Sequence, residues 1–385
     1  MRVPARALEP IRFQQPELPA MDEVLRHFRR SEQARWYSNG GPCATELELR
    51  LRARLGGDTR CLLVSSATAG LLAALRASCG EPSGRRRLVI TQSYTFTATA
   101  CAIRWAGFEP LFVDVDADHW QLDADRLADA LATRRGEVAG LLACATFGSA
   151  PPPAVRAAWR SACAEHGVPL VVDSAPGFGS VDAHGIPLGG QGDTEVFSFH
   201  ATKPFAIGEG GMVATADGGL AERMRRLVNF GLEPGTRVSA EAGFNGKLSE
   251  LHAATGLAVL DSFDGVLAGR RRLAGALATA TSGCGLRFQG GAFDGTWQFF
   301  QALVPSARAR AAALAAAQEL AVEARTLHDP PLHRHPAFSA APRHGALAVT
   351  ESLAARSLSL PLANSLSGAA VTRIADVVQR GTASC

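Results

Sequence analysis

Short apolar runs alternate with longer segments of helical spacing through the first part of the chain. Cys61–Val64, Leu88–Thr91, Pro110–Val115, Val138–Ala145 and Leu170–Val172 read as buried strands, the last ending in Asp173. Between them, Ala69–Ala77, Phe96–Trp105, a stretch from Asp123 to about Thr133, and Pro153–His166 carry the spacing of helices. Asp123 is placed to cap its helix, and Gly107 and Gly167 are placed as stops. Strands separated by helices in this way imply a mainly parallel sheet covered on both faces. The expected fold is α/β, a three-layer sandwich with a mainly parallel sheet, plus a smaller α+β C-terminal domain.

The flanks of this pattern are less regular. Residues 1–35 read as an arm with one short helix, Met21–Arg30, followed by the turn-rich segment Tyr37–Pro42. Thr45 then opens a charged helix, with Glu48 in place for a capping box. Val196–Phe199 and Met212–Ala214 read as strands and Gly219–Phe230 as a helix. Leu248, Leu251, Ala254 and Ala258 recur at helical spacing and open a long helix running past Arg272. Beyond it come a strand at Trp297–Val304, an Ala-rich helix at Ala307–Leu320, a strand at Ser357–Leu360 and a helix at Gly368–Arg380. The expected division is a large domain at 1–265, including the arm, and a small one at 266–385.

Composition narrows the class. The chain has 385 residues, 47% hydrophobic and 19% charged, as in a globular protein with a large core. A net charge of +3, with only Arg85–Arg87 and Arg270–Arg272 as basic runs, argues against nucleic acid or an acidic membrane as partner. No apolar run reaches spanning length, and the N-terminus, with Arg2, Pro4, Arg6, Glu9 and Pro10, has no signal-like core. The eight cysteines include no C-x-x-C pair and read as small buried hydrophobes in a reducing compartment. The expected location is the cytoplasm.

Lysine usage draws attention to one loop. The chain has only two lysines, Lys203 and Lys247, against many arginines. Lys203 lies between two strand-like runs, followed by Pro204, Gly208, Gly210 and Gly211. Arginine stays protonated, whereas a partly desolvated lysine can attack a carbonyl, so a chemical role is expected for Lys203.

Further features fall at strand ends, where open α/β sheets bind ligands. Ser65–Thr68 sits between a strand and a helix, where it suits a phosphate or an ordinary cap by Thr68. Asp173 ends a buried strand and needs a partner, either a protonated cofactor ring nitrogen, a structural Arg or a backbone cap. Phe96 could cover a planar ring or pack in the core. Asp114 and Asp116 read as structural residues of a solvated turn. An amine, a carboxylate, a helix end and an aromatic face are together what pyridoxal 5'-phosphate (PLP) requires.

The chain resembles the DegT/StrS family of PLP-dependent sugar aminotransferases, of fold type I. The matching stretches include SSATAGLLAAL (65–75), TQSYTFTATACAIRWAGFEPLFVDVD (91–116), PLVVDSAPGFGS (169–180) and SFHATKPFAIGEGG (198–211). They continue through GFNGKLSELHAATGLAVL (243–260), PPLHRHPAF (330–338) and SLSLPL (357–362). The resemblance implies that Lys203 is the Schiff-base lysine and Asp173 the carboxylate on the pyridine nitrogen. It implies that Phe96 stacks on the ring, and that Ala67, Thr68 and Ser198 reach the phosphate. Asn245 matches an asparagine given across a dimer interface to the partner's phosphate, and Lys247 a basic residue near the cofactor. A homodimer with shared active sites is therefore expected.

Three positions depart from the family pattern. Pro176 stands where Gln or His is usual, Ala67 replaces a common Gly, and Lys247 a common Arg. The related dehydratases replace the lysine with His, so Lys203 argues against that branch. His328, His333 and His335 lack the carboxylate or cysteine that would complete a metal set, and no metal is expected. The resemblance places His328 and His333 at the substrate mouth. It implies transfer of an amino group from an amino acid, glutamate or glutamine, to a keto sugar linked to a nucleotide. The alternatives are a keto-cyclitol or other small ketone as acceptor, or a catalytically silent regulatory member of the fold.

Overall fold

The computed structural model describes residues 8–383; Arg2, Pro4, Arg6 and Cys385 lie outside them. Seven strands form the main sheet: β1 (Arg60–Val64), β2 (Leu88–Gln92), β3 (Glu109–Val113), β4 (Val138–Cys144), β5 (Leu170–Asp173), β6 (Thr194–Ser198) and β7 (Gly211–Thr215). Their order is β1-β7-β6-β5-β4-β2-β3. The pairings from β3 to β6 are parallel, and β7 runs antiparallel to both neighbours.

Side chains alternate between the two faces of each strand, and this alternation builds the layers. Val171, Val196 and Val213 join the core under the helices Ala67–Cys79 and Thr97–Trp105. Their neighbours Val172, Phe197 and Met212 point the other way, to the core shared with Leu47, Leu51, Leu257 and Phe263. Ile90, Leu111 and Leu141 pack with Leu127, Leu131 and Trp159 of the helices Ala124–Thr133 and Pro153–His166. The sheet is thus mainly parallel and covered on both faces.

The C-terminal part has its own two-stranded sheet, β8 (Phe300–Leu303) against β9 (Ser357–Leu360). Its core joins Phe300, Leu358 and Leu360 to the helices Ala307–Glu319 and Gly368–Thr382 and to Ile11 of the arm. The helix Glu250–Ala280 runs unbroken past residue 265 and contributes to both cores. No helix among the described residues is long and apolar enough to cross a membrane.

Several local readings need correction. The second helix begins at Pro42, not Thr45, because proline's fixed φ suits the first helical position. Glu48 makes no capping box there; it accepts from the Leu63 amide and pairs with Arg225. The helix cap is instead Glu250, fully buried, which accepts from the Cys43 and Ala44 amides at 2.7 and 3.1 Å and from Ser31 Oγ at 2.7 Å. Leu248 lies ahead of the long helix rather than in it. Asp114 is fully buried rather than solvated, and takes the Val349 and Thr350 amides at the start of a helix, Ala348–Arg356, that the pattern did not announce. Of the described cysteines, four are buried and three half-buried, all unpaired.

Candidate active site

The parallel register brings the carboxyl ends of neighbouring strands together. Cys144 of β4 lies beside Asp173 of β5, and Asp173 beside Val196 of β6. Asp173 is 4% exposed. Its Oδ2 accepts from Thr99 Oγ1 at 2.7 Å and its Oδ1 from the Ala175 amide at 3.1 Å. Burial raises its pKa above the usual carboxylate range; the two hydrogen bonds and the nearby Lys203 charge oppose that rise. Both hydrogen-bond donors are neutral, and the Lys203 amine is the positive charge that acts on this carboxylate.

The loop between β6 and β7 folds back over that strand end. Phe199 N donates to Gly210 O and Ala201 N to Gly208 O, with Gly208 at φ +94°. Gly211 allows a close approach: a Cβ there would sit 2.6 Å from Phe197 O and 2.8 Å from Ala67 N. That contact sets the loop against the start of the helix Ala67–Cys79. Lys203 is half-buried, and its Nζ donates to Gln298 Oε1 at 3.1 Å. Burial lowers the amine to about 8, against the upward pull of Asp173.

Ser66, not Thr68, caps the helix, its Oγ accepting from the Ala69 amide at 3.1 Å. Thr68 is thereby left exposed, beside buried Ala67, and the first amides of a helix have no partner within it. Ser198 ends β6 opposite Gly211 and is 8% exposed. Phe96 is not a core residue: it is 67% exposed at the N-cap of its helix.

The remaining expected residues divide. His328 stacks on Phe147 at 4.8 Å and meets the edge of Tyr94 at 5.2 Å. Burial, together with the Lys203 charge, drops its pKa to about 3 and keeps the ring neutral. His333 is 3% exposed, with Nδ1 on Ser93 Oγ at 2.7 Å and Nε2 on Glu351 at 2.8 Å. Both ring nitrogens are spent inside the chain, so in this arrangement His333 anchors its loop rather than offering a contact at the mouth. His335 turns to Pro330 O. Asn245 is exposed, while Gly246 O next to it accepts from Ser65 N at 2.7 Å, beside the Ser65–Thr68 turn. Lys247 lies over the Phe230 ring at 4.6 Å, and burial lowers its pKa. Pro176 offers its carbonyl to Thr296 Oγ1 at 2.6 Å.

The model of the DegT/DnrJ/EryC1/StrS aminotransferase family matches residues 20–379. The chain belongs to that family. Among its relatives, Protein Rv3402c of Mycobacterium tuberculosis (strain ATCC 25618 / H37Rv) is 39% identical over 96% of this chain and 89% of its own length. The dTDP-4-amino-4,6-dideoxy-D-glucose transaminase of Shigella dysenteriae is 32% identical over 68% of each chain. The crystal structure of DesI with its TDP-sugar product superposes with a TM-score of 0.87, at 33% identity, over 99% of this chain and 96% of that one.

As a member of this sugar aminotransferase family, the chain is a PLP-dependent aminotransferase. Its residues fit the cofactor: a buried carboxylate whose two hydrogen-bond donors are neutral, an amine of lowered pKa near enough to act on its charge, and an exposed aromatic face at the same end of the sheet. Sequence reasoning missed Thr99, Gln298 and the ring pair Tyr94 and Phe147 around His328. Thr99 sits one residue after Ala98 in TFTATA, and nothing in that run marks which threonine faces Asp173. Gln298 lies 95 residues from Lys203, and only the tertiary fold joins them.

Proposed function

We propose that this aminotransferase moves an amino group from glutamate or glutamine to a keto sugar carried on a nucleotide. The observation that carries the reading is Lys203, an amine of lowered pKa, beside the buried carboxylate of Asp173 at the ends of parallel strands. The dTDP-4-amino-4,6-dideoxy-D-glucose transaminase relative and DesI, whose product is a TDP-sugar, support the acceptor class.

When bound, PLP supplies an aldehyde that takes up an amino group and a ring that accepts the electrons of a broken C–H bond. Asp173 Oδ would hold the proton on the ring nitrogen, and Thr99 Oγ1, donating to that carboxylate, orients it and favours its ionised form against burial. Phe96 would cover one ring face. Ala67, Thr68 and Ser198 would hold the phosphate, with Asn245 and Lys247 of a second subunit completing the pocket of a homodimer. Lys203 Nζ would hold the cofactor and, once released, would take the proton from the donor carbon as general base and deliver it as general acid to the carbon of the cofactor's former aldehyde. His328, kept neutral by burial, can give or accept one hydrogen bond to a sugar hydroxyl.

The same reading puts the work in the cytoplasm and divides the chain near residue 265 into a larger, cofactor-holding part and a smaller C-terminal part. Purified protein given PLP is expected to show a visible cofactor band that Lys203→Ala abolishes. It is also expected to form 2-oxoglutarate from glutamate beyond one equivalent per site only when a TDP-linked keto sugar is present. Turnover with keto-cyclitols and not with the sugar nucleotide would replace the acceptor in this reading.

A further inference from the structure

Gln298 comes from just before β8, in the C-terminal part of the chain, yet its side chain ends on the lysine loop. Its Nε2 donates to Thr202 O at 3.0 Å, with Thr202 Oγ1 at 3.4 Å, and its Oε1 accepts from Lys203 Nζ at 3.1 Å. Because the carboxamide must spend its donor on the Thr202 carbonyl, the acceptor end faces the amine. The backbone under it is clamped. Arg270, 5% exposed, donates from one nitrogen to Trp297 O at 3.1 Å, to Gln298 O at 3.3 Å and to Leu362 O at 2.9 Å. Neither end of this bridge is left to choose its position.

We infer that Gln298 is a positioning residue: it holds the Lys203 amine whenever that amine is not bonded to the cofactor, keeping it within reach of the donor carbon. The inference rests on the reading that Lys203 is the cofactor-bearing lysine. A released lysine has a long, flexible stem and loses rotamer freedom when it is held in one place. A neutral acceptor fixed at both ends supplies that hold without adding a negative charge. A carboxylate in the same place would pair with the ammonium and stabilise it, leaving less free base. A side chain of the same length without an acceptor would leave the ammonium without its hydrogen bond and favour the neutral amine.

The test uses the full chain with its cofactor removed, and reads the pH dependence of Lys203 acylation by acetic anhydride through mass spectrometry of the Lys203 peptide. Gln298→Glu is expected to raise the apparent pKa of Lys203 by about one unit or more. Gln298→Met is expected to lower it. With PLP bound, the pH limb of the half-reaction with glutamate should move the same way in each variant. Circular dichroism identifies a variant that fails to fold, and the other variant then decides alone. Labelling profiles of folded variants that superimpose on that of the unaltered protein overturn the inference. Retention of the visible cofactor band in Lys203→Ala overturns the lysine assignment itself, and is a different result.

Discussion

Thr99 Oγ1 lies 2.7 Å from Asp173 Oδ2, one helix reaching across to the end of the neighbouring strand. Burial alone favours the protonated acid, and this hydrogen bond works against it. Thr99→Val removes the donor and keeps the shape. A hydrogen bond to a charged group contributes roughly 1.5–3 kcal/mol, so the carboxylate should titrate higher and hold the cofactor ring less well. We expect a fall in PLP affinity of about tenfold or more, read by titrating the cofactor band. Asp173→Asn should cost much more, because no carboxylate remains at any pH.

Lys203 makes the cofactor-free fold pH-dependent. Its pKa falls from 10.5 to about 8 on folding, so between those values the unfolded chain binds more protons than the native one. Stability should therefore rise with pH through that window, and below about 8 the lysine should destabilise the cofactor-free fold by a constant amount. Lys203→Met should raise the melting temperature of the cofactor-free protein at pH 7, with the difference narrowing towards pH 10. Thermal melts at both pH values check this; a difference that does not narrow refutes it.

His328 acts in the acid range. Its ring is held neutral down to about 3, against an ordinary value of 6.5, so the unfolded chain takes up a proton that the folded chain refuses. The fold loses stability as pH falls below 6.5. His328→Gln should flatten that loss between pH 6.5 and 4 in denaturant titrations. If His328 also contacts the sugar, the variant should raise KM for the acceptor and leave the half-reaction with glutamate unchanged.

Arg156 is 1% exposed and lies 2.7 Å from Asp193 and 2.8 Å from the fully buried Glu195. Glu195 also accepts from Ser174, next to Asp173, so this ion cluster braces the strand end that carries the site. Arg156→Met leaves Glu195 buried without its cation, a change that costs about 3–5 kcal/mol. We expect a lower melting temperature and weaker cofactor retention, both measurable in one thermal series with and without PLP.

Subunit sharing in the proposed dimer is tested by complementation. Lys203→Ala and Asn245→Ala chains, each inactive alone, are co-expressed. If Asn245 serves the partner's pocket, a mixed dimer has one intact site and one doubly altered site, and activity returns. If Asn245 serves its own chain, as its neighbour's bond to Ser65 would also permit, no site is intact and none returns.

The sheet was legible because each buried strand is short, apolar and bounded by turn residues; Pro153–His166 and Ser357–Leu360 have the limits that pattern predicts. Lys203 and Asp173 stood out through local signals, a lysine among arginines and a carboxylate closing a buried run, and the fold brings the two near enough for each charge to act on the other. What escaped depends on distant partners. The cap on the second helix is Glu250, some two hundred residues away in sequence, so the nearer Glu48 was a false signal. Ala348–Arg356 is started by Asp114 in the same way. For Phe96 the pattern left a ring face and core packing both open, and its exposure removes the second.

The helix Glu250–Ala280 has 31 residues, about 45 Å at 1.5 Å per residue. Its first residue is locked onto the second helix, three positions beyond Lys247, and some 30 Å along it Arg270 fixes the backbone of Gln298. One stiff rod therefore ties the cap of the second helix to the backbone beneath Gln298, and a shift at either point is carried to the other.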